Sequence, residues 1–163
     1  MMRRLIVMRH AKSPWDSSVG SDRERPLSDR GRKDAPLVGA ALVERGWAPD
    51  LVLSSDAQRT RETFAGLSEA FPGKVEARFL PSFYLAGPRA AGEEVAELEG
   101  AVSCVLLLGH NPGWESLVEA LCGEDIIMEP ATAVLLSREL AGWDYGMQTG
   151  KWKLEGVIYP QDI

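Results

Sequence analysis

Leu5-Ile6-Val7-Met8-Arg9-His10-Ala11-Lys12-Ser13 is an apolar run that stops abruptly at an arginine and a histidine. A short β-rich run bounded by polar residues reads as a buried strand, and in an open α/β sheet ligands sit beyond the carboxyl ends of the strands. This reading puts His10 at the mouth of a crevice. The same grammar recurs in Cys104-Val105-Leu106-Leu107-Leu108-Gly109-His110-Asn111-Pro112-Gly113. The chain holds two histidines in all, and each follows an apolar run. A shared ligand or catalytic site explains that placement; two unrelated histidines closing two strands is the plainer alternative.

Composition bounds what such a site can serve. At 163 residues and 17.8 kDa the chain suits one domain, taken as 1–163, with a full-sized core. A formal net charge of -6 speaks against a nucleic-acid groove but leaves room for a local cationic pocket. No apolar run is long enough to span a bilayer, and the start, Met1-Met2-Arg3-Arg4, lacks the features of a signal peptide. The expectation is a cytoplasmic protein with no membrane partner. Cys104 and Cys122 have no Cys-x-x-Cys spacing and read as reduced packing residues.

Reading outward from the first strand at residues 3 to 8, Lys12 to Glu24 is a polar loop whose one large apolar side chain is Trp15. Trp15 is either a lid or wall over a pocket or a side chain that tucks the loop onto the body. Ser28 reads as an N-cap, with a helix from there to about Arg45 that Pro36 should kink or divide at Ala35. Leu51-Val52-Leu53 reads as a strand, closed by a polar turn at Ser54-Ser55-Asp56. The next helix begins near Ala57 and places Arg59 in its first turn, where a cation is unfavourable by itself. An anion held there accounts for it; a surface pair with Asp56 or Glu62 is the alternative.

Val75 to Leu80 reads as a strand, Pro81 to Gly92 as irregular, and roughly Gly92 to Leu98 as a helix. After the His110 strand, Asn111 is expected to cap a helix with Pro112 at its first position and Trp114, Leu117, Val118 and Leu121 on its buried side. Ala133 to Leu136 forms a further strand and Trp152 to Tyr159 a last one at an edge. Strands alternating with helices argue for an α/β protein whose largely parallel sheet is covered on both faces.

Arg9, His10, Arg59 and His110 thus gather at strand ends as two guanidiniums and two imidazoles. Guanidiniums grip two oxygens of a phosphate at once, and helix N-termini add backbone N–H groups. A neutral imidazole can attack phosphorus, while a second one donates a proton to a non-bridging oxygen. This chemistry needs no metal and no cofactor. A catalytic zinc usually takes three protein ligands, and two histidines with arginines beside them do not supply that set. No Gly-x-x-x-x-Gly-Lys-Ser/Thr loop for a nucleoside triphosphate is present.

The string from Leu5 to Lys12, LIVMRHAK, resembles the Arg-His-Gly/Ala element of the histidine phosphatase superfamily, the phosphoglycerate mutase-like fold. The chain further resembles the compact bacterial branch of protein-phosphohistidine phosphatases. Arg25-Pro26-Leu27-Ser28 looks like the branch's Arg-Pro-Leu-Ser/Thr element, Ser54 to Thr63 like its second-arginine element, and Gly109-His110-Asn111-Pro112-Gly113 like its second-histidine element. Each string is short, but their order and strand-end placement act together. The resemblance implies a three-layer α/β/α sandwich, His10 as phosphorylated nucleophile, Arg9 and Arg59 as phosphate clamps and His110 as the second phosphate-pocket histidine. Arg25, Ser13 and Asn111 join as candidate phosphate or substrate contacts.

Substrate choice turns on an absent carboxylate. Many members of the superfamily carry an acid-bearing segment between the second arginine and the second histidine, whereas Leu80 to Ala86 contains none. Asp22, Glu24 and Glu115 remain as proton donors if folding brings one over the pocket. Lacking a general acid matters most for an alkoxide leaving group and least for imidazole. The expectation is therefore a protein-phosphohistidine phosphatase. The alternatives are a small-molecule phosphomonoesterase and a phosphate- or phosphoprotein-binding module without turnover; the sequence leaves the oligomeric state open.

Overall fold

The computed structural model describes residues 1–15, 20–144 and 146–163. Its strands are β1 (Met2–Arg9), β2 (Leu51–Ser55), β3 (Glu76–Leu80), β4 (Cys104–Gly109), β5 (Ala133–Glu139) and β6 (Lys153–Ile158). Its α-helices are α1 (Asp29–Glu44), α2 (Gln58–Ser68), α3 (Pro88–Val95) and α4 (Gly113–Cys122), with short 3-10 turns at Asp22–Glu24, Pro81–Phe83 and Pro160–Asp162. The six strands form one sheet in the order β3-β2-β4-β1-β5-β6. β3, β2, β4 and β1 run parallel; β5 is antiparallel to both β1 and β6. This is a three-layer α/β/α sandwich around a mixed, mainly parallel sheet.

The alternation of strand side chains sorts the apolar residues into two layers. Leu5, Val7, Leu53, Val105 and Leu107 face α3 and α4, where Trp114, Leu117, Val118 and Leu121 are buried. Ile6, Met8, Val52, Leu106 and Leu108 face α1 and α2. Leu5 to Met8 have no exposed surface, as expected of a central strand covered on both faces.

Several boundaries differ from the sequence reading. Ser28 caps α1 as expected, accepting the Gly31 N–H, but the helix runs unbroken through Pro36. There α1 packs closely on α2: a methyl group at Gly66 would lie 2.6 Å from Ala35 Cβ, and one at Gly39 would lie 2.6 Å from the Leu67 carbonyl oxygen. Tertiary packing of this kind holds a helix against the loss of one internal hydrogen bond. β2 includes Ser54 and Ser55, both fully buried, so the strand delivers a hydroxyl where a turn was expected. The Gly87-Pro88 pair starts α3, with proline in the first turn where its missing N–H costs nothing, so this helix begins before Gly92. Asn111 does not cap α4; Pro112 holds that position and the Asn111 amide donates to the Met128 carbonyl instead. The loop expected from Lys12 to Glu24 includes residues 16–19, which lie outside the described residues.

Candidate active site

Three parallel strands deliver the site. β1 and β4 are neighbours in register, with Arg9 opposite Gly109, so the next residue of each strand is a histidine. The His10 N–H donates to the Gly109 carbonyl at 3.0 Å, and the two imidazole centroids lie 5.4 Å apart. On the far side of β4, β2 ends in Ser55, and the turn after it opens α2, which brings Arg59 to the same crevice. Gly109 is required here: a Cβ would meet the Trp114 indole at 2.6 Å, and that ring is buried under the end of β4.

Hydrogen bonds decide which imidazole nitrogen does what. His10 Nδ1 lies 2.7 Å from the Ala11 carbonyl oxygen, an acceptor only, so Nδ1 carries the proton and Nε2 keeps its lone pair. His110 Nδ1 lies 3.3 Å from Arg59 Nη2, a donor only, so its proton sits on Nε2 and is given to Ser55 Oγ at 2.7 Å. Both rings are held neutral. Burial, followed by the charges of Arg59, Arg9 and Arg25, pushes the His10 pKa down to about 3 against the help of the Ala11 carbonyl. His110 is lowered to about 3 by burial, then by His10 and Arg59.

The arginines keep donors in reserve. Arg9 Nη1 donates to the Met128 carbonyl at 2.9 Å, and Arg59 Nη1 to the Asp22 carbonyl at 2.7 Å. The Nε–H of each is buried with no hydrogen-bond partner among the described residues. A buried charge-bearing donor without a partner is costly, and two of them beside a histidine pair suit an anion such as a phosphoryl group. Burial lowers the Arg9 pKa, opposed by Glu115 and Glu129.

Arg9, His10, Arg59 and His110 line one cleft of about 530 Å³, together with Arg25, Ser13, Asn111, Trp15, Asp22 and Tyr84. Arg25 is buried and committed: Nη1 to Asp22 Oδ1 at 2.7 Å, Nη2 to Ser13 Oγ at 3.3 Å and Nε to the Pro14 carbonyl. Ser13 Oγ donates to the Pro26 carbonyl. Trp15 is 87% exposed, with the Arg25 guanidinium 4.0 Å from its ring centroid, so it stands as a wall at the rim and does not tuck the loop onto the body.

Of the three candidate proton donors, one reaches the cleft. Glu24 bonds to Ser21 at the surface, and Glu115 accepts the Met128 N–H at 2.8 Å, holding the segment that Arg9 and Asn111 also grip. Asp22 does line the cleft, but its carboxylate accepts from Tyr84 Oη, Arg25 Nη1 and Arg59 Nη2. Against the opposing effect of burial, those hydrogen bonds hold its pKa at about 2, so it has no proton to give near neutrality. The surface pairing of Arg59 with Asp56 or Glu62 is not found: Asp56 meets Arg23, and Glu62 bonds Gln58.

Sequence reasoning passed over two residues here. Ser55 could have been found by extending β2 two residues further, since a buried serine after an apolar strand needs a partner. Tyr84 sits in the segment read only for its lack of carboxylate, and its ring meets His110 edge-on at 5.5 Å. Two residues on, the Ala86 backbone lies against Gly113, where a Cβ would lie 1.7 Å from the Ala86 oxygen.

With this geometry in hand, the family follows. The sequence model of the histidine phosphatase superfamily (branch 1) matches residues 5–82. An uncharacterised chloroplastic protein of Arabidopsis thaliana is 38% identical over 171 residues, covering 97% of this chain and 78% of the relative. The chain belongs to the histidine phosphatase superfamily and is an enzyme of its phosphatase class. Among solved structures, it is similar to a protein described as phosphohistidine phosphatase SixA from Agrobacterium tumefaciens, with TM-score 0.82, 27% identity and coverage of 97% and 98% of the two chains. It is equally similar to one so described from Nakamurella multipartitia, with TM-score 0.82, 29% identity and coverage of 98% and 97%. Among the described residues no group of three or more His, Cys, Asp or Glu could hold a metal ion, and no helix is long and apolar enough to cross a membrane.

Proposed function

We propose that this chain is a cytoplasmic protein-phosphohistidine phosphatase working through a phospho-His10 intermediate. The observation that carries the reading is a pair of neutral imidazoles set between two guanidiniums, in a cleft where Asp22, the one carboxylate among the described lining residues, is held ionised. Arg9 and Arg59 grip the phosphoryl oxygens through their spare N–H groups. The lone pair on His10 Nε2 attacks phosphorus; the bond to the leaving nitrogen breaks and its electron pair stays with the departing imidazole. His110 Nδ1 accepts from Arg59 Nη2 at 3.3 Å, so this ring stays neutral and, in place of donating to a non-bridging oxygen itself, holds the guanidinium that does. Water then attacks phosphorus, the electron pair returns to Nε2, and the water proton leaves with phosphate or bulk solvent. Ser13 and Asn111 are proposed as peripheral contacts, Asn111 through an Oδ1 buried without a partner among the described residues.

A leaving-group series tests the substrate class. Aryl phosphates spanning several pKa units, an alkyl phosphate and a phosphohistidine peptide are compared under single-turnover conditions. A general acid is worth about 10²- to 10⁴-fold, so the expected order is phosphohistidine first, nitrophenyl phosphate measurable and alkyl phosphate poorest. Rapid quench is expected to trap acid-labile label on His10, and a chelator to leave the rate unchanged. A flat dependence with fast alkyl-ester cleavage would favour a small phosphomonoester as substrate, which the cleft volume admits. Tight phosphate binding with no label on His10 would instead favour a binding module.

A further inference from the structure

Asp22 was a candidate general acid, and its surroundings give it the opposite character. It is fixed by donors from three directions: Arg25 from the chain beyond its own 3-10 turn, Arg59 from α2, and Tyr84 from the segment after Pro81–Phe83. A carboxylate offers about four lone-pair positions. Oδ2 takes Arg59 Nη2 and Tyr84 Oη, and Oδ1 takes Arg25 Nη1, which leaves one position on Oδ1. The side chain is 34% exposed and lines the cleft, so that position is within reach of a bound molecule. The same Arg59 Nη2 that meets Asp22 lies 3.3 Å from His110 Nδ1. One guanidinium nitrogen therefore bridges the fixed negative charge of Asp22 and the His110 ring, and Trp15 and Tyr84 line the same cleft.

We propose that Asp22 selects the leaving group by accepting a hydrogen bond from the distal ring N–H of a phosphorylated imidazole while His10 takes the phosphoryl group. This rests on the phosphohistidine reading above and names the residue that enforces it. A phosphoimidazole protonated on its distal nitrogen brings its own proton: when the P–N bond breaks, the electron pair goes to the proximal nitrogen and a neutral imidazole departs. A carboxylate accepting from the distal N–H stabilises the protonated form of that substrate. Toward a phosphate ester it offers no proton, and toward an acidic ester it adds repulsion.

The test measures D22N and the native enzyme on a phosphohistidine peptide and on 4-nitrophenyl phosphate, each from pH 5.5 to 9. A hydrogen bond to a charged group sets the expected size: the ratio of kcat/KM for peptide over aryl phosphate should fall about 30-fold in D22N. Both substrates are read in one preparation, so the folded fraction cancels. The groups facing Asp22 are Arg25, Arg59 and Tyr84, with His110 beyond Arg59 and Arg23 stacked on the Tyr84 ring. The histidines are neutral throughout this range and the Tyr84 phenol is pushed upward, so an alkaline limb belongs to the substrate's distal nitrogen.

In the native enzyme the limb of kcat, which reports the complex, should lie about one pH unit above that of kcat/KM, which reports the free substrate. In D22N the two should coincide. Coincident limbs in the native enzyme overturn the proposal whether or not D22N folds. An unchanged substrate ratio also overturns it and leaves Asp22 as an orienting partner for Arg59. If the native enzyme does not cleave the peptide, the phosphohistidine reading falls first and takes this inference with it.

Discussion

Lowering the pH from 7 to 5 is expected to destabilise the fold by about 4 kcal/mol, and the whole of this comes from two side chains. His10 and His110 are 7% and 1% exposed, and each titrates at about 3 in the folded protein against 6.5 for the ordinary side chain. The folded pKa is depressed, so below 6.5 the unfolded chain takes up protons that the folded chain refuses, and stability falls with falling pH. Integrated from pH 7 to 5, a group moving from 6.5 to about 3 contributes about 2 kcal/mol, and the pair about 4. That is a large part of the 5 to 15 kcal/mol typical of a domain. The window is clean because the chain has two histidines in all, while Asp22, also depressed, loses its contribution only as pH falls below its ordinary 3.8 toward about 2. Urea midpoints measured at half-unit intervals for the native protein and a His10→Gln/His110→Gln variant provide the assay. The variant should lose most of the slope. A native stability that stays flat between pH 7 and 5, or an equal slope in the variant, would refute the assignment of two neutral buried histidines.

Two substitutions probe the frame around the site. Ser55→Ala removes the acceptor of the His110 Nε2–H and frees that ring to change tautomer; kcat should drop about tenfold with KM nearly unchanged, read by steady-state kinetics on aryl phosphate. Gly113→Ala drives a methyl group into the Ala86 oxygen, which should cost about 1 to 3 kcal/mol in thermal or urea unfolding and weaken the Tyr84 to Asp22 contact.

The alternation of apolar strands with amphipathic helices, and the histidine at the end of two of those strands, are local properties of the chain, and they determined the fold class and the four residues Arg9, His10, Arg59 and His110. Periodicity reports which face of an element is buried, and a strand that ends in chemistry-bearing side chains says which end of the sheet to inspect. Pairing is not local. That β1 and β4 lie side by side in register, bringing the imidazoles within 5.4 Å, depends on which strands neighbour one another across about a hundred residues of chain. Helix α1 running through Pro36 depends on its contact with α2. The protonation states depend on more than residue type: Asp22 carries the same carboxyl group as an aspartate in solution, and Tyr84, Arg25 and Arg59 make it a fixed anion. Those three donors come from separate parts of the chain, so only tertiary structure could decide that Asp22, the one carboxylate among the described residues of the cleft, holds no proton to donate.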